Sequence, residues 1–89
     1  MDLPYPVPFR FDRDASPRFR LVNVSDEPVR GVTLALNGPG LAPAMVAPIL
    51  EPGASVTFPV LGDDLARSTA LVIRWLRADG RDYLWRVSF

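Results

Sequence analysis

Two carboxylates bracket an arginine at Asp12-Arg13-Asp14, and two more stand together at Asp63-Asp64. In an extended segment, residues two apart point to the same side, so Asp12 and Asp14 present the oxygen ligands that calcium accepts if more converge from a neighbouring loop. Asp63 and Asp64 are the obvious source. The competing reading makes all four turn residues, because aspartate forms turns by bonding its own backbone, and their spacing does not match an established calcium loop. The chain has no histidine and no cysteine. That removes the usual base at neutral pH, the strongest nucleophile and any thiolate metal site. The acids fall in turns instead of facing each other across a cleft, as two-carboxylate sugar hydrolysis requires. Gly38-Pro39-Gly40 runs into Leu-Ala-Pro and not into a helix carrying Lys-Ser, so it is not a phosphate loop. The inventory predicts a protein that is not an enzyme, with no catalytic, cofactor-binding or metal-binding residue.

Trp75, Tyr83 and Trp85 are spaced to share one side of a strand pair, where a row of aromatic faces can stack on sugars or single-stranded nucleic acid. Large aromatics on an apolar face more often pack a core, and that is the expectation here. The arginines at 18, 20, 74, 77, 81 and 86 alternate with apolar residues as outward strand positions do, which predicts solvated side chains pairing with acids across strands.

The segment Ala70–Phe89 sets its own register. With Ala78-Asp79-Gly80 as a three-residue loop closed by Gly80 in the left-handed region, Arg77 faces Arg81, Trp75 faces Tyr83, Ile73 faces Trp85 and Leu71 faces Val87. One face is then wholly apolar. A two-residue loop would set Ile73 against Arg86 and mix the faces, so packing selects the longer loop. The opposite face carries Val72, Arg74, Leu76, Leu84 and Arg86. Three large aliphatics with arginines beside them make an apolar centre with a polar rim, the anatomy of a protein contact, and this is the candidate interaction surface. The alternative cover is the chain's own start, with Tyr5 and Val7 folding back over the patch.

Upstream, Pro4, Pro6 and Pro8 make residues 1–8 a stiff lead-in segment unable to form a central strand. Phe9 and Phe11 alternate with Arg10 and Asp12; Phe19, Leu21 and Asn23 alternate with Arg18 and Arg20. Ser25-Asp26-Glu27-Pro28 is a turn by composition, after which Val32, Leu34 and Leu36 share a face opposite Gly31, Thr33 and Ala35. A four-residue loop at Glu51-Pro52-Gly53-Ala54 predicts a hairpin pairing Ile49 with Val56, Ala47 with Phe58 and Met45 with Val60. Gly62–Ser68 reads as one helical turn capped by an aspartate, with Leu65 inward. Short strands about ten residues apart with turns between them predict an all-β fold, a single antiparallel β-sandwich of six to seven strands over residues 9–89.

Eighty-nine residues suit one small domain. Ten arginines and no lysine balance ten acids, so no global positive field draws the chain to nucleic acid. No apolar run approaches the roughly 20 residues that cross a bilayer, and Met1-Asp2-Leu3-Pro4 lacks the basic and apolar start of a signal peptide. The expectation is a cytoplasmic protein with no membrane or nucleic-acid partner.

The stretch Phe19-x-Leu21-x-Asn23-x-x-Asp26, then Leu50-x-Pro52-Gly53-x-Ser55-x-Thr57-Phe58 and a final strand pair, resembles immunoglobulin-like sandwiches of the CARDB and fibronectin type III-like kind. The likeness covers most of residues 9–89 and departs from antibody-type domains in having no cysteine pair. It implies a non-catalytic adhesion, spacer or interaction module, often one of several in an extracellular protein. In such a frame Asn23 supports the following turn through its side-chain amide. The functional expectation is a module that binds another protein or its own copy; the runner-up is a carbohydrate- or calcium-dependent binding module.

Overall fold

The computed structural model describes residues 5–38, 40, 46–62 and 65–89. In chain order the strands are β1 (Phe9–Asp12), β2 (Arg18–Asn23), β3 (Val29–Asn37), β4 (Val46–Leu50), β5 (Ser55–Pro59), β6 (Ala70–Leu76) and β7 (Asp82–Ser88), with one helical turn, α1 (Leu65–Ser68), before β6. They form two antiparallel sheets, ordered β1-β2-β5 and β4-β3-β6-β7. The expected β-sandwich is present.

Period-two alternation decides what lies between the sheets. Phe9, Phe11, Phe19, Leu21 and Phe58 point inward from the smaller sheet and meet Val29, Val32, Leu34, Leu71, Ile73, Trp75 and Val87 from the larger. The core has an aromatic cluster at each end. Phe11 stacks on Phe19 at 5.5 Å while Phe89 meets both edge-on, at 5.8 and 5.2 Å. At the other end Phe9 meets Trp75 edge-on at 4.9 Å. Such pairs add about 0.5–1.5 kcal/mol each beyond the burial of their area.

The C-terminal hairpin has the expected register, with Leu71, Ile73 and Trp75 opposite Val87, Trp85 and Tyr83. Arg77 N–H donates to the Arg81 carbonyl at 3.0 Å and Gly80 N–H to the Arg77 carbonyl at 2.9 Å. Gly80 has φ of +85°, the left-handed residue that closes a type I turn in a three-residue loop.

Residues 46–60 depart from expectation. Ile49 does not pair with Val56, nor Ala47 with Phe58; β4 pairs with β3, and β5 pairs with β2 in the other sheet. The proposed pairing of Met45 with Val60 lies outside the described residues. The Glu51–Ala54 turn is real, with Ala54 N–H on the Glu51 carbonyl at 2.9 Å and Gly53 at φ +80°. It carries the chain across the sandwich instead of folding a hairpin, because β2 and β3 offer both strands longer partners than they offer each other. A second unforeseen feature lies in β3. Val29 and Val32 both point inward although they are three apart, and Gly31, at φ +56°, absorbs the extra residue as the β3–β6 register slips between Arg30 and Thr33.

Of the helical turn, Leu65 packs against the core as expected. Its proposed aspartate cap, Asp63-Asp64, lies outside the described residues.

Candidate interaction surface

β6 and β7 place the sequence-derived patch on the outer face of the larger sheet. Their register sets Val72 opposite Arg86, Arg74 opposite Leu84 and Leu76 opposite Asp82. Leu84 is 56% exposed and Leu76 38%, Val72 is half-buried, and Arg74 and Arg86 are exposed. The structure brings all five together.

It also adds residues that the sequence reading misplaced. Ile49 was expected on the apolar side of a hairpin with β5, but on β4 it faces outward beside Arg30 and is 41% exposed. Arg30 in turn lies opposite Leu76. One row across the sheet therefore reads Ile49, Arg30, Leu76, Asp82, and the next carries Thr33, Arg74 and Leu84. Leu76 leans over the bare backbone of Gly31, where a Cβ would stand 3.5 Å from its Cδ1. Arg30, Arg74 and Arg86 make this face cationic, with Asp82 as its acid, although the whole chain is neutral. The outer face of the smaller sheet bears Arg10, Arg18, Arg20, Ser55 and Thr57, and its exposed aliphatic among the described residues is Val24, just past the end of β2.

The described part of the lead-in, residues 5–8, does not cover the patch. Tyr5 packs on the inner side of the hairpin, its ring 4.7 Å from Tyr83, and its hydroxyl accepts a hydrogen bond from Trp75 Nε1 at 3.3 Å. Burial raises the Tyr5 phenol above its ordinary pKa of 10.0, with the Trp75 hydrogen bond acting in the opposite sense. Above the ring lies the Arg77 guanidinium, 3.9 Å from the centroid. Arg77 also holds Glu27 through a two-pronged pair, Nε to Oε1 at 2.8 Å and Nη2 to Oε2 at 3.2 Å. Those bonds hold the guanidinium charged more firmly than usual. The expectation that Arg77 is a solvated outward arginine is thereby corrected. It shares parity with Trp75 and so belongs to the inner face, a signal the alternation already contained.

The aromatic platform is also altered. Trp75 is 2% exposed, enclosed by Phe9, Tyr83 and Tyr5, while Tyr83 and Trp85 are half-buried on the edge strand. Trp85 thus contributes less to the core than its register suggests, because β7 is the last strand of its sheet.

At Asp12 both carboxylate oxygens are engaged within the chain: Oδ1 accepts the Asp14 N–H at 2.9 Å and Oδ2 the Arg20 Nη2 at 3.1 Å. The Asp14 amide and then Arg20 hold this carboxyl below its usual range. Asp63 and Asp64 lie outside the described residues, and no group of three acids gathers among the described ones. No described helix is long and apolar enough to cross a membrane. Compared with known proteins, the chain matches no family model, no curated protein and no solved structure.

Proposed function

We propose that the chain is a non-enzymatic interaction module whose outer β4-β3-β6-β7 face binds a protein surface with an apolar centre and an acidic rim. The observation that carries this reading is the exposed set Ile49, Leu76 and Leu84 among Arg30, Arg74 and Arg86, on the sheet face that carries more exposed aliphatics among the described residues. Burying the exposed half of Leu84 supplies roughly 1 kcal/mol, and the three guanidiniums select acids around it. An immunoglobulin-like frame is part of the proposal. Three crossovers between the sheets support it, while β4 beside β3, and not beside β5, sets it apart from the antibody constant-domain order.

Selection from a random displayed-peptide library tests the face directly. Peptides that place Asp or Glu beside large apolar residues are expected, and their binding should fall for both Leu76→Asp and Arg74→Glu while persisting with Arg20→Glu on the opposite sheet. Selected peptides indifferent to the first two substitutions overturn the assignment.

A further inference from the structure

A sandwich of two open sheets has four edges, each offering unpaired backbone groups to another chain. Three are guarded here. β1 is four residues long and follows Pro8, β4 contains Pro48, and β5 contains Pro59. The fourth edge, β7, runs seven residues, Asp82–Ser88, with no proline, no glycine and no inward charge.

The register shows which of its groups β6 does not bond. In an antiparallel pair, hydrogen-bonded and non-bonded pairs alternate. Since Arg77 and Arg81 are bonded to each other, so are Trp75 with Tyr83, Ile73 with Trp85 and Leu71 with Val87. Asp82, Leu84, Arg86 and Ser88 therefore turn their N–H and C=O groups to the open side. Arg13 marks that direction: its Nη2 reaches the Ser88 carbonyl at 2.6 Å from outside the sheet.

We propose that β7 pairs antiparallel with β7 of a second copy, about a two-fold axis through Leu84. This pairing goes beyond the face-binding reading and rests on the strand edge, not on the outer face. Charge order selects the register. Centring on Leu84 sets Leu84 against the second copy's Leu84 and Asp82 against its Arg86 on both sides of the axis, with each of these residues exchanging both backbone bonds. Centring on Asp82 or on Arg86 opposes like charges. Centring on Trp85 sets Asp82 against Ser88, whose carbonyl Arg13 already occupies; centring on Tyr83 sets Asp82 against Leu84. Only the Leu84 register matches charge and leaves Arg13 in place. On the inner side it brings Tyr83 opposite the second copy's Trp85, both half-buried in one copy. The product is a continuous sheet across two copies, the isologous arrangement of a closed dimer.

Sedimentation of the full chain over a range of concentrations tests this. Wild type is expected to dimerise. Asp82→Arg and Arg86→Asp, both at exposed positions, should each weaken the dimer by about tenfold or more by opposing like charges twice. The double swap should restore it. Leu84→Pro, which removes a donor that only the second copy needs, should yield a folded monomer by circular dichroism. A wild type that stays monomeric, or single swaps that leave the dissociation constant unchanged, overturn the pairing. Leu76→Asp lies on β6 away from the edge, so it reports on the face without touching the dimer.

Discussion

The Asn23 side chain donates to the Leu50 carbonyl at 2.9 Å, joining residues 27 apart in the chain. The same Nδ2 donates to the Glu27 carbonyl at 2.9 Å, and Oδ1 accepts from the Ser25 N–H and hydroxyl at 3.0 and 2.7 Å. The amide is fully used, as a buried one must be to avoid a large desolvation cost. Its own backbone bonds Gly53 and Ala54. Asn23 thus fastens two of the three places where the chain passes from one sheet to the other, β2 to β3 and β4 to β5. Those crossings position the outer face that the proposed function uses.

Asn23→Ala should destabilise the fold by about 2–3 kcal/mol, since it strands the buried Leu50 carbonyl and leaves the part-buried Glu27 carbonyl to the Ser25 hydroxyl alone. Asn23→Asp should cost at least as much, because it aims a carboxylate oxygen at those same carbonyls. Urea unfolding monitored by circular dichroism reads both; an Asp variant as stable as wild type would contradict the assignment of the amide donors.

Gly80→Val should cost about 1–2 kcal/mol through the left-handed backbone alone. A Cβ there meets nothing within 4 Å, so packing adds no penalty. Gly80→Asn should therefore recover much of the loss, since asparagine tolerates that region. Equal melting temperatures for the Val and Asn variants would remove the backbone explanation.

Trp75→Ala should cost about 3–5 kcal/mol through lost transfer energy and the cavity left behind. Trp85→Ala, at a half-buried edge position, should cost clearly less. The fluorescence of the two single-tryptophan variants should separate accordingly, with Trp75 blue-shifted relative to Trp85 in the monomer. A reversed order would mean that the edge of the sandwich is closed by other means.

Alkali should weaken the fold through Tyr5. Its phenol is raised by burial above the ordinary 10.0, so as pH climbs past that value the unfolded chain releases the proton first and the native state is penalised. Stability is expected to be full below pH 10.0 and to decline from there through the raised native value. Tyr5→Phe should abolish that part of the decline while losing about 1 kcal/mol at neutral pH from the unpaired Trp75 indole. A Phe variant with an unchanged alkaline profile would place the effect elsewhere.

The final hairpin was legible because its constraints are local: one loop length puts Leu71, Ile73 and Trp75 against Val87, Trp85 and Tyr83 without mixing faces, and Gly80 permits that loop. The same parity exposed Val72, Arg74, Leu76, Leu84 and Arg86. Alternation likewise marked Phe9, Phe11, Phe19, Leu21 and Asn23 as inward. Which strand pairs with which was not local. Ile49 and Val56 flank a sound turn, yet an apolar alternation fits a neighbour in the same sheet or a partner across the core equally well, and only the competition among all seven strands sent β4 to β3 and β5 to β2. The Tyr5–Arg77–Glu27 stack shows the same division. Parity puts Arg77 on the inner face, but cation, ring and carboxylate lie 72 and 50 residues apart in pairs, 77 − 5 and 77 − 27, and no period in the sequence encodes such a meeting. Tertiary packing alone decided that Tyr5 covers the inner end of the hairpin and not the outer patch, because it finds there a ring, an indole donor and a guanidinium together, and the outer patch offers it none of that combination.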